Sequence, residues 1–260
     1  MKAPQPRRSD RQADPSRTIP ESFRVSLFEH IESKRRQVPK SYFCPACGTV
    51  SARFQNHGSG KGRSNAKCPV CGAVERHRLF WVYFVNAIWP RLPQGTKKLL
   101  HVAPEPIFTE LLRSCDTVDY LSGDLGMRRA MIKLDLTDIH FPDEQFDVII
   151  CLHILEHIPD DRKAMAEMFR VTKPGGFLLV MVPTYGQNTY EDFNVTSPKD
   201  RVKHFGQHDH VRKYGMDIAD RLSATGFKVT IWPREGQLDA EIVKFIAARR
   251  RVIFECRRES

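Results

Sequence analysis

The chain reads as an α/β protein: a doubly wound, mostly parallel sheet of seven strands, preceded by a small cysteine-bearing module. Three observations predict this. From residue 97 onward, short apolar runs alternate with stretches of helical periodicity, the pattern of successive βαβ units. Two of the runs, 148–152 and 177–182, flank a helix pattern and a Pro-Gly-Gly turn, so they pair as parallel strands through a right-handed crossover. Ahead of the sheet, four of the seven cysteines fall into two Cys-x2-Cys pairs, at 44/47 and 68/71.

The elements follow in order. Residues 1–20, rich in Pro, Ser, Arg and Gln, read as a disordered basic tail. Residues 21–95 form the N-terminal module. Within it, 21–38 predict a short helix with Phe23, Leu27, Phe28 and Ile31 on one side. Residues 75–90 predict a second helix, with Leu79, Phe80, Tyr83, Phe84, Ala87 and Ile88 at helical spacing and Pro90 and Pro93 ending it. The sheet domain occupies 97–260. Its strands are expected at 98–102, 118–121, 131–134, 148–152, 177–182, 227–232 and 251–256. Helices are expected at 106–114 and 216–225, the latter stopped by Gly226.

Charge divides the chain the same way. Residues 1–98 hold 19 Lys/Arg against 6 Asp/Glu, whereas 99–260 hold 22 against 25, so the whole net charge of +10 arises in the N-terminal part. A basic module beside a near-neutral domain suits an acidic partner, either a phosphate- or carboxylate-bearing small molecule or a nucleic acid, although a solvated basic tail would look the same. No run of eighteen apolar residues predicts a membrane span, and the N-terminus lacks the apolar core of a secretory signal; a cytoplasmic protein is expected. The oligomeric state is not legible.

The cysteine module has the spacing Cys44-Pro-Ala-Cys47, twenty residues, Cys68-Pro-Val-Cys71, with Gly48 and Gly72 ending each knuckle. This is the pattern of a four-cysteine zinc ribbon, and four thiolates leave the ion no open position, so the zinc is expected to be structural. The Glu75-Arg76-His77-Arg78 string that follows could roof a substrate site, which makes Arg76 and Arg78 candidate substrate contacts.

The most specific string is in the sheet domain: Phe146-Asp147, then Leu155-Glu156-His157-Ile158-Pro159-Asp160, Glu167, and Arg170-Val171-Thr172-Lys173-Pro174-Gly175-Gly176. It resembles the class I S-adenosylmethionine (SAM)-dependent methyltransferases, type-11 branch, and the resemblance covers roughly 97–257. It implies a Rossmann-like fold and SAM as cofactor, with contacts at His101, Ala103, Glu105, Asp124, Asp135, Leu136, Leu152 and His153. Asp124, about twenty residues past the first turn, takes the place of a ribose-binding acid, and Asp135 that of the adenine-side acid. The first turn departs from the family: Ala103 and Glu105 stand where glycines are usual, and the turn is one residue shorter. Either this Pro-Glu-Pro turn still admits SAM, with Glu105 near its cationic end, or the site is degenerate.

Two further segments bear on chemistry. His153, Glu156 and His157 spell H-x-x-E-H, but at a strand end rather than within the long helix a zinc peptidase needs. Ubiquinone-pathway O-methyltransferases carry a similar segment in which two Glu and a His resemble a divalent-metal site; here His153 replaces the first Glu. The polar segment 183–217 resembles a subgroup with a GQ-x-DHVR-x-YG signature. It offers His210 or His208 as a base, with His153 third, and Tyr185, Arg212 and Tyr214, together with His157, as substrate contacts. The expected function is methylation, most readily of an oxygen, on a small-molecule or glycan-type acceptor. The alternatives are an RNA methyltransferase gripping nucleic acid with the ribbon, and a zinc-ribbon binding protein with a dead SAM site. Against RNA, the (N/D)PPY string and a Pro-Cys nucleophile are missing, and the ribbon lacks an aromatic series for stacking bases.

Overall fold

The computed structural model describes residues 27–38, 40–58, 62–127, 129–233, 237–249 and 251–260. The expected tail at 1–20, Phe23 of the first helix and Lys61 of the ribbon loop lie outside the described residues. The N-terminal part forms α1 (Leu27–Gln37), β1 (Tyr42–Phe43), β2 (Val50–Ser51), β3 (Gln55–His57), β4 (Arg63–Lys67) and α2 (Glu75–Tyr83). The last continues through a π-helical turn (Phe84–Ile88) and a 3-10 turn (Trp89–Arg91). Then come β5 (Lys97–Val102), α3 (Pro106–Arg113), β6 (Val118–Asp124), β7 (Ile132–Lys133), β8 (Phe146–Leu152), α4 (Asp161–Val171) and β9 (Thr172–Met181). The chain ends with β10 (Tyr190–Glu191), α5 (Pro198–Phe205), β11 (Arg212–Lys213), α6 (Ile218–Ser223), β12 (Lys228–Trp232), α7 (Ala240–Phe245) and β13 (Ile253–Arg257).

Seven strands make one sheet in the order β12-β13-β9-β8-β5-β6-β7. β5, β6, β7, β8 and β9 run parallel, and only β13 is antiparallel to its neighbours β12 and β9. The chain leaves β5 for β6 on one side and returns as β8 on the other, so the order reverses between β5 and β8. In such sheets the crevice beyond the carboxyl ends of the strands at this reversal is where ligands bind.

Strand alternation divides the core in two. Leu99, Val148, Ile150, Leu152, Leu179 and Met181 face the N-terminal part, where they join its Leu79, Phe80, Trp81 and Phe84 together with Phe108 of α3. Leu100, Ile149, Cys151, Leu178 and Val180 face α4 and α6. β8 is buried along its whole length, as a central strand covered on both faces must be; truncating Ile149 or Ile150 to Ala would cost about 2–5 kcal/mol. The N-terminal part thus shares its core with the sheet rather than standing beside it.

The long motif turns out to be scaffolding. Asp147 accepts from the Lys173 ammonium at 2.8 Å and from the Lys98 N–H at 2.8 Å, tying β8 to β9 and β5. Glu167 accepts from the Ile139 N–H, while Arg170 donates to the carbonyls of Ile139 and Phe141, so the linker ahead of β8 is laced to α4. Asp160 caps α4 by accepting from the Lys163 N–H. The Pro-Gly-Gly string is not a turn between helix and strand. It is a bulge within β9, which pairs Thr172 with Phe146 and resumes at Phe177 against Val148. Gly175 in it has φ +78°, a conformation that favours glycine.

The sequence pattern misses β10, β11, α5 and α7. Each is short or polar: α5 buries only Phe205, and α7 only Ile242 and Phe245, too little periodicity to read.

Candidate active site

The turn after β5 keeps a glycine-like backbone without glycine. Ala103 has φ +45° and donates its N–H to the Gly123 carbonyl, joining the ends of β5 and β6. Gly123 itself is forced: a Cβ there would lie 2.6 Å from the Leu134 side chain. Pro106 opens α3 with Glu105 as its cap residue. The Glu105 carboxylate lies between two histidines, 3.1 Å from His101 Nε2 and 3.6 Å from His77 Nε2. Burial alone would raise its pKa. The His101 hydrogen bond and the charges of His77 and Arg76 outweigh burial, and the carboxyl is held below its usual value, so Glu105 is ionised. His77 is pushed the other way, down to about 4, chiefly by burial and against the pull of Glu105.

His77 belongs to α2. The Glu75–Arg78 string therefore does reach the crevice, but it splits there. His77 meets Glu105, and the half-buried Arg76 has a buried Nε with no hydrogen-bond partner among the described residues. Arg78, expected to touch substrate, is fully buried instead. Its guanidinium donates to the carbonyls of Ala66, Ala73, Ile246 and Ala247, and stacks 5.0 Å from the Phe54 ring centre. It fastens the ribbon to the segment after α7.

Asp124 ends β6 and accepts from the Gly126 N–H at 2.8 Å. Asp135 is exposed beyond β7, where it accepts from the N–H and hydroxyl of Thr137, and the Thr137 N–H lowers its pKa. Leu136 and Leu152 are buried. These residues lie at or just beyond the carboxyl ends of β6, β7 and β8.

At the end of β8, His153 adopts φ +58° and donates its N–H to the Met181 carbonyl. Its Nδ1 faces Glu156 Oε1 at 3.4 Å. Both His153 Nε2 and Glu156 Oε2 are buried with no hydrogen-bond partner among the described residues. The polar loop between β9 and α6 comes back over this point. The Val211 N–H donates to the Glu156 carbonyl at 2.9 Å, which sets His210 opposite Glu156 and His157. The His157 and His210 rings meet edge-to-face with centres 4.7 Å apart. Burial, then the neighbouring His157, lowers the His210 pKa, and His157 Nδ1 lies 3.3 Å from Asp209 Oδ2.

Two other expected contacts are consumed in holding this loop. Arg212 is 1% exposed. It donates to the carbonyls of Leu155, Ile158 and Pro159 and, at 2.9 Å, to Glu191. Tyr214 is fully buried, its hydroxyl donating to Asp161 at 2.5 Å. Neither presents a polar atom to a substrate. Arg212 pairs with Glu191, a residue the sequence pattern does not single out. His208 and Tyr185 lie at the surface, His208 with its side chain 70% exposed. The structure thus gathers His153, Glu156, His157 and His210 and leaves His208 outside.

The four ribbon cysteines converge. Cys44 and Cys71 Sγ are 3.6 Å apart, Cys47 and Cys68 Sγ 3.7 Å, and all four lie within 4.8 Å of one another. Four Zn–S bonds of about 2.3 Å in a tetrahedron put sulfurs roughly 3.8 Å apart, so the set fits a zinc ion and is too wide for disulfides. Gly48 and Gly72, at φ +73° and +75°, close the two knuckles by donating to the Cys44 and Cys68 carbonyls.

The family described as Methyltransferase domain matches residues 98–180, from β5 to the last residues of β9. The ubiquinone/menaquinone biosynthesis C-methyltransferase UbiE of Vibrio campbellii is 44% identical over 50 residues, 19% of either chain. The ubiquinone biosynthesis O-methyltransferase of Pseudomonas fluorescens is 54% identical over 33 residues, 13% of this chain and 14% of that one. The matched stretch therefore spans less than a fifth of these relatives. Among solved structures, a SAM-dependent methyltransferase from Archaeoglobus fulgidus aligns at TM-score 0.47 and 14% identity, over 70% of this chain and 90% of the other. The [4+2]-cyclase SpnF aligns at TM-score 0.48 and 14% identity, over 93% and 98%.

Proposed function

We propose that this chain, with a methyltransferase domain across 98–180, is a SAM-dependent methyltransferase acting on an oxygen of a small-molecule or glycan-type acceptor. The observation that carries the reading is what converges at the switch point between β5 and β8: an ionised Glu105, an acid at the end of β6, and a histidine–carboxylate pair at the end of β8. Ala103 supplies the left-handed turn a glycine usually gives. Glu105 suits the cationic amino-acid end of SAM, and Asp124 suits the ribose hydroxyls. SAM supplies a methyl group already activated on a sulfonium.

This chain's residues place the acceptor and take its proton. The imidazole of His153, at the end of β8, or of His210, brought to it by the loop ahead of β11, would take the proton of the acceptor hydroxyl as the new C–O bond forms. SAM, when bound, would supply the methyl group and carry off the C–S electron pair as a neutral thioether, while the acceptor's proton would remain on the imidazolium. Zinc in the ribbon would be structural: the ribbon carries α2, and α2 carries Arg76 and His77 to the crevice.

Titration calorimetry with SAM tests the reading. Wild type should bind one equivalent, and Asp124→Ala should lose most of the affinity. Absence of binding to wild type would leave a zinc-ribbon binding protein with an inactive domain. A second reading, RNA methylation, draws on a basic cleft of about 370 Å³ lined by Arg35, Lys40 and Lys244 among others. Steeply salt-dependent RNA binding would favour it.

A further inference from the structure

We infer that Glu156, His157 and His210 form a site for a divalent first-row metal ion at the carboxyl edge of β8. It is separate from the ribbon. One ligand atom from each lies within 4.8 Å of the others, close enough for a single ion to touch all three. The ligands come from two segments: Glu156 and His157 from the turn after β8, His210 from the loop ahead of β11.

Three features point to an ion rather than to packing. Glu156 is 2% exposed, and its Oε2 is buried with no hydrogen-bond partner among the described residues. A carboxylate oxygen in that state is costly unless a cation meets it. Its other oxygen is engaged, facing His153 Nδ1 at 3.4 Å, which leaves Oε2 as the metal-binding atom. Second, His157 Nδ1 lies 3.3 Å from Asp209 Oδ2. A carboxylate on one ring nitrogen fixes the tautomer that offers the other to a metal, the usual outer support of a metal-binding histidine. Third, the geometry is held rigidly. The Val211 N–H bonds the Glu156 carbonyl, and the next residue, Arg212, bonds the carbonyls of Leu155, Ile158 and Pro159. The two ligand-bearing segments cannot drift apart without breaking these bonds.

Two imidazoles and one carboxylate suit zinc, manganese or iron(II) and leave coordination positions open. The role of the ion rests on the methyltransferase reading. An acceptor with two neighbouring oxygens, a vicinal diol, catechol or α-hydroxy acid, would fill the open positions, and the ion's charge would ease loss of the acceptor's proton. His210 is then a ligand, and His153 is left to take the proton.

The metal site is tested without SAM or acceptor, so its outcome is independent of whether the chain transfers methyl groups. Protein with its ribbon loaded with zinc is titrated with Co²⁺ and followed by visible absorption. The expected result is one equivalent bound, with the weak bands of nitrogen- and oxygen-ligated cobalt and without the intense near-ultraviolet charge transfer of a thiolate site. Glu156→Gln and His210→Ala should each weaken binding by tenfold or more, and Asp209→Asn by about tenfold. His140→Ala, an exposed histidine on another loop, should leave it unchanged. A wild-type protein that shows no such bands overturns the proposal, even if the variants fail to fold. So does a Co²⁺ affinity unmoved by both ligand substitutions.

Discussion

Two polar clusters meet at residue 211 and are built in opposite ways. On one side, Arg212, Tyr214, Asp161, Arg221 and Glu191 form a closed network. Arg212 spends its guanidinium on three carbonyls and Glu191, Tyr214 donates to Asp161, and Arg221 bridges Asp161 and Glu191 at 3.0 and 2.9 Å. On the other side, His153, Glu156, His157 and His210 form an open one. It has contacts within itself, yet it leaves His153 Nε2 and Glu156 Oε2 buried without hydrogen-bond partners among the described residues. Buried polar groups are nearly always satisfied when their task is to hold a structure. The closed cluster therefore reads as architecture. The open one reads as a place kept for something that arrives.

The sharpest way to break this comparison is to damage both clusters in parallel. Arg212→Ala strands three buried carbonyls and removes one of the two guanidinium partners of Glu191, so it should cost about 3–5 kcal/mol of stability. Glu156→Gln removes an unsatisfied buried charge at nearly constant shape, so it should cost under about 1 kcal/mol or even stabilise. Urea unfolding measures both. Equal losses in the two variants would show that the open cluster is also architecture.

The first turn offers an intermediate case, because Glu105 is satisfied by His101 while the buried Nε2 of His77, 3.6 Å from Glu105, makes no hydrogen bond among the described residues. Here the comparison can be sharpened with pH. His77 has a folded pKa of about 4 against 6.5 for a free histidine, so below pH 6.5 the unfolded chain binds a proton that the folded protein refuses. Stability must fall with pH through that window, by about 2 kcal/mol between pH 6.5 and about 5. The groups facing His77 are Glu105, which opposes the shift, and Arg76, His153 and Arg78, which reinforce it. Glu105, with its pKa lowered, adds a loss of the same sign at more acid pH, once its carboxylate protonates. His77→Asn should flatten the first part of the profile and shrink the second, since His77 is one of the groups that hold the Glu105 pKa down. A melting temperature as steep in the variant as in wild type between pH 6.5 and 5 would remove His77 from the account.

How much of this was legible in the sequence depends on the range of the forces involved. The parallel sheet was, because buried strands such as 148–152 need continuous apolar runs that survive any context. The cysteine set was, because ligand spacing within a knuckle is a local matter. The open cluster was legible only in part. His153, Glu156 and His157 share one string, but nothing local reveals that the Val211 N–H bonds the Glu156 carbonyl and delivers His210 to them. Arg78, Arg212 and Tyr214 were read as substrate contacts because polar side chains beside a crevice look alike in sequence. Whether a guanidinium faces a ligand or four backbone carbonyls is decided by segments as distant as Ala66 and Ile246. The strongest motif marks the fold rather than the site: its Asp147, Glu167, Arg170 and Lys173 all bind backbone or one another, and of the whole string only Glu156 and His157 reach the open cluster.

The smallest expected effect concerns backbone rather than side chains. Ala103 and His153 occupy left-handed conformations at the ends of β5 and β8, on either side of the switch point. Like an unpartnered polar atom, such a φ costs stability, roughly 1 kcal/mol for a residue with a Cβ, and persists where the surroundings demand it. Ala103→Gly should recover up to about 1 kcal/mol, less what glycine's extra unfolded-state entropy takes back. If the left-handed turn alone admits the cofactor, SAM affinity measured by calorimetry should be unchanged or higher in the variant. A weaker affinity would mean that the alanine methyl group, or the stiffness it gives the Pro-Glu-Pro turn, holds Glu105 where the ligand needs it. The strain at the first turn would then belong with the open cluster, as a cost kept for function.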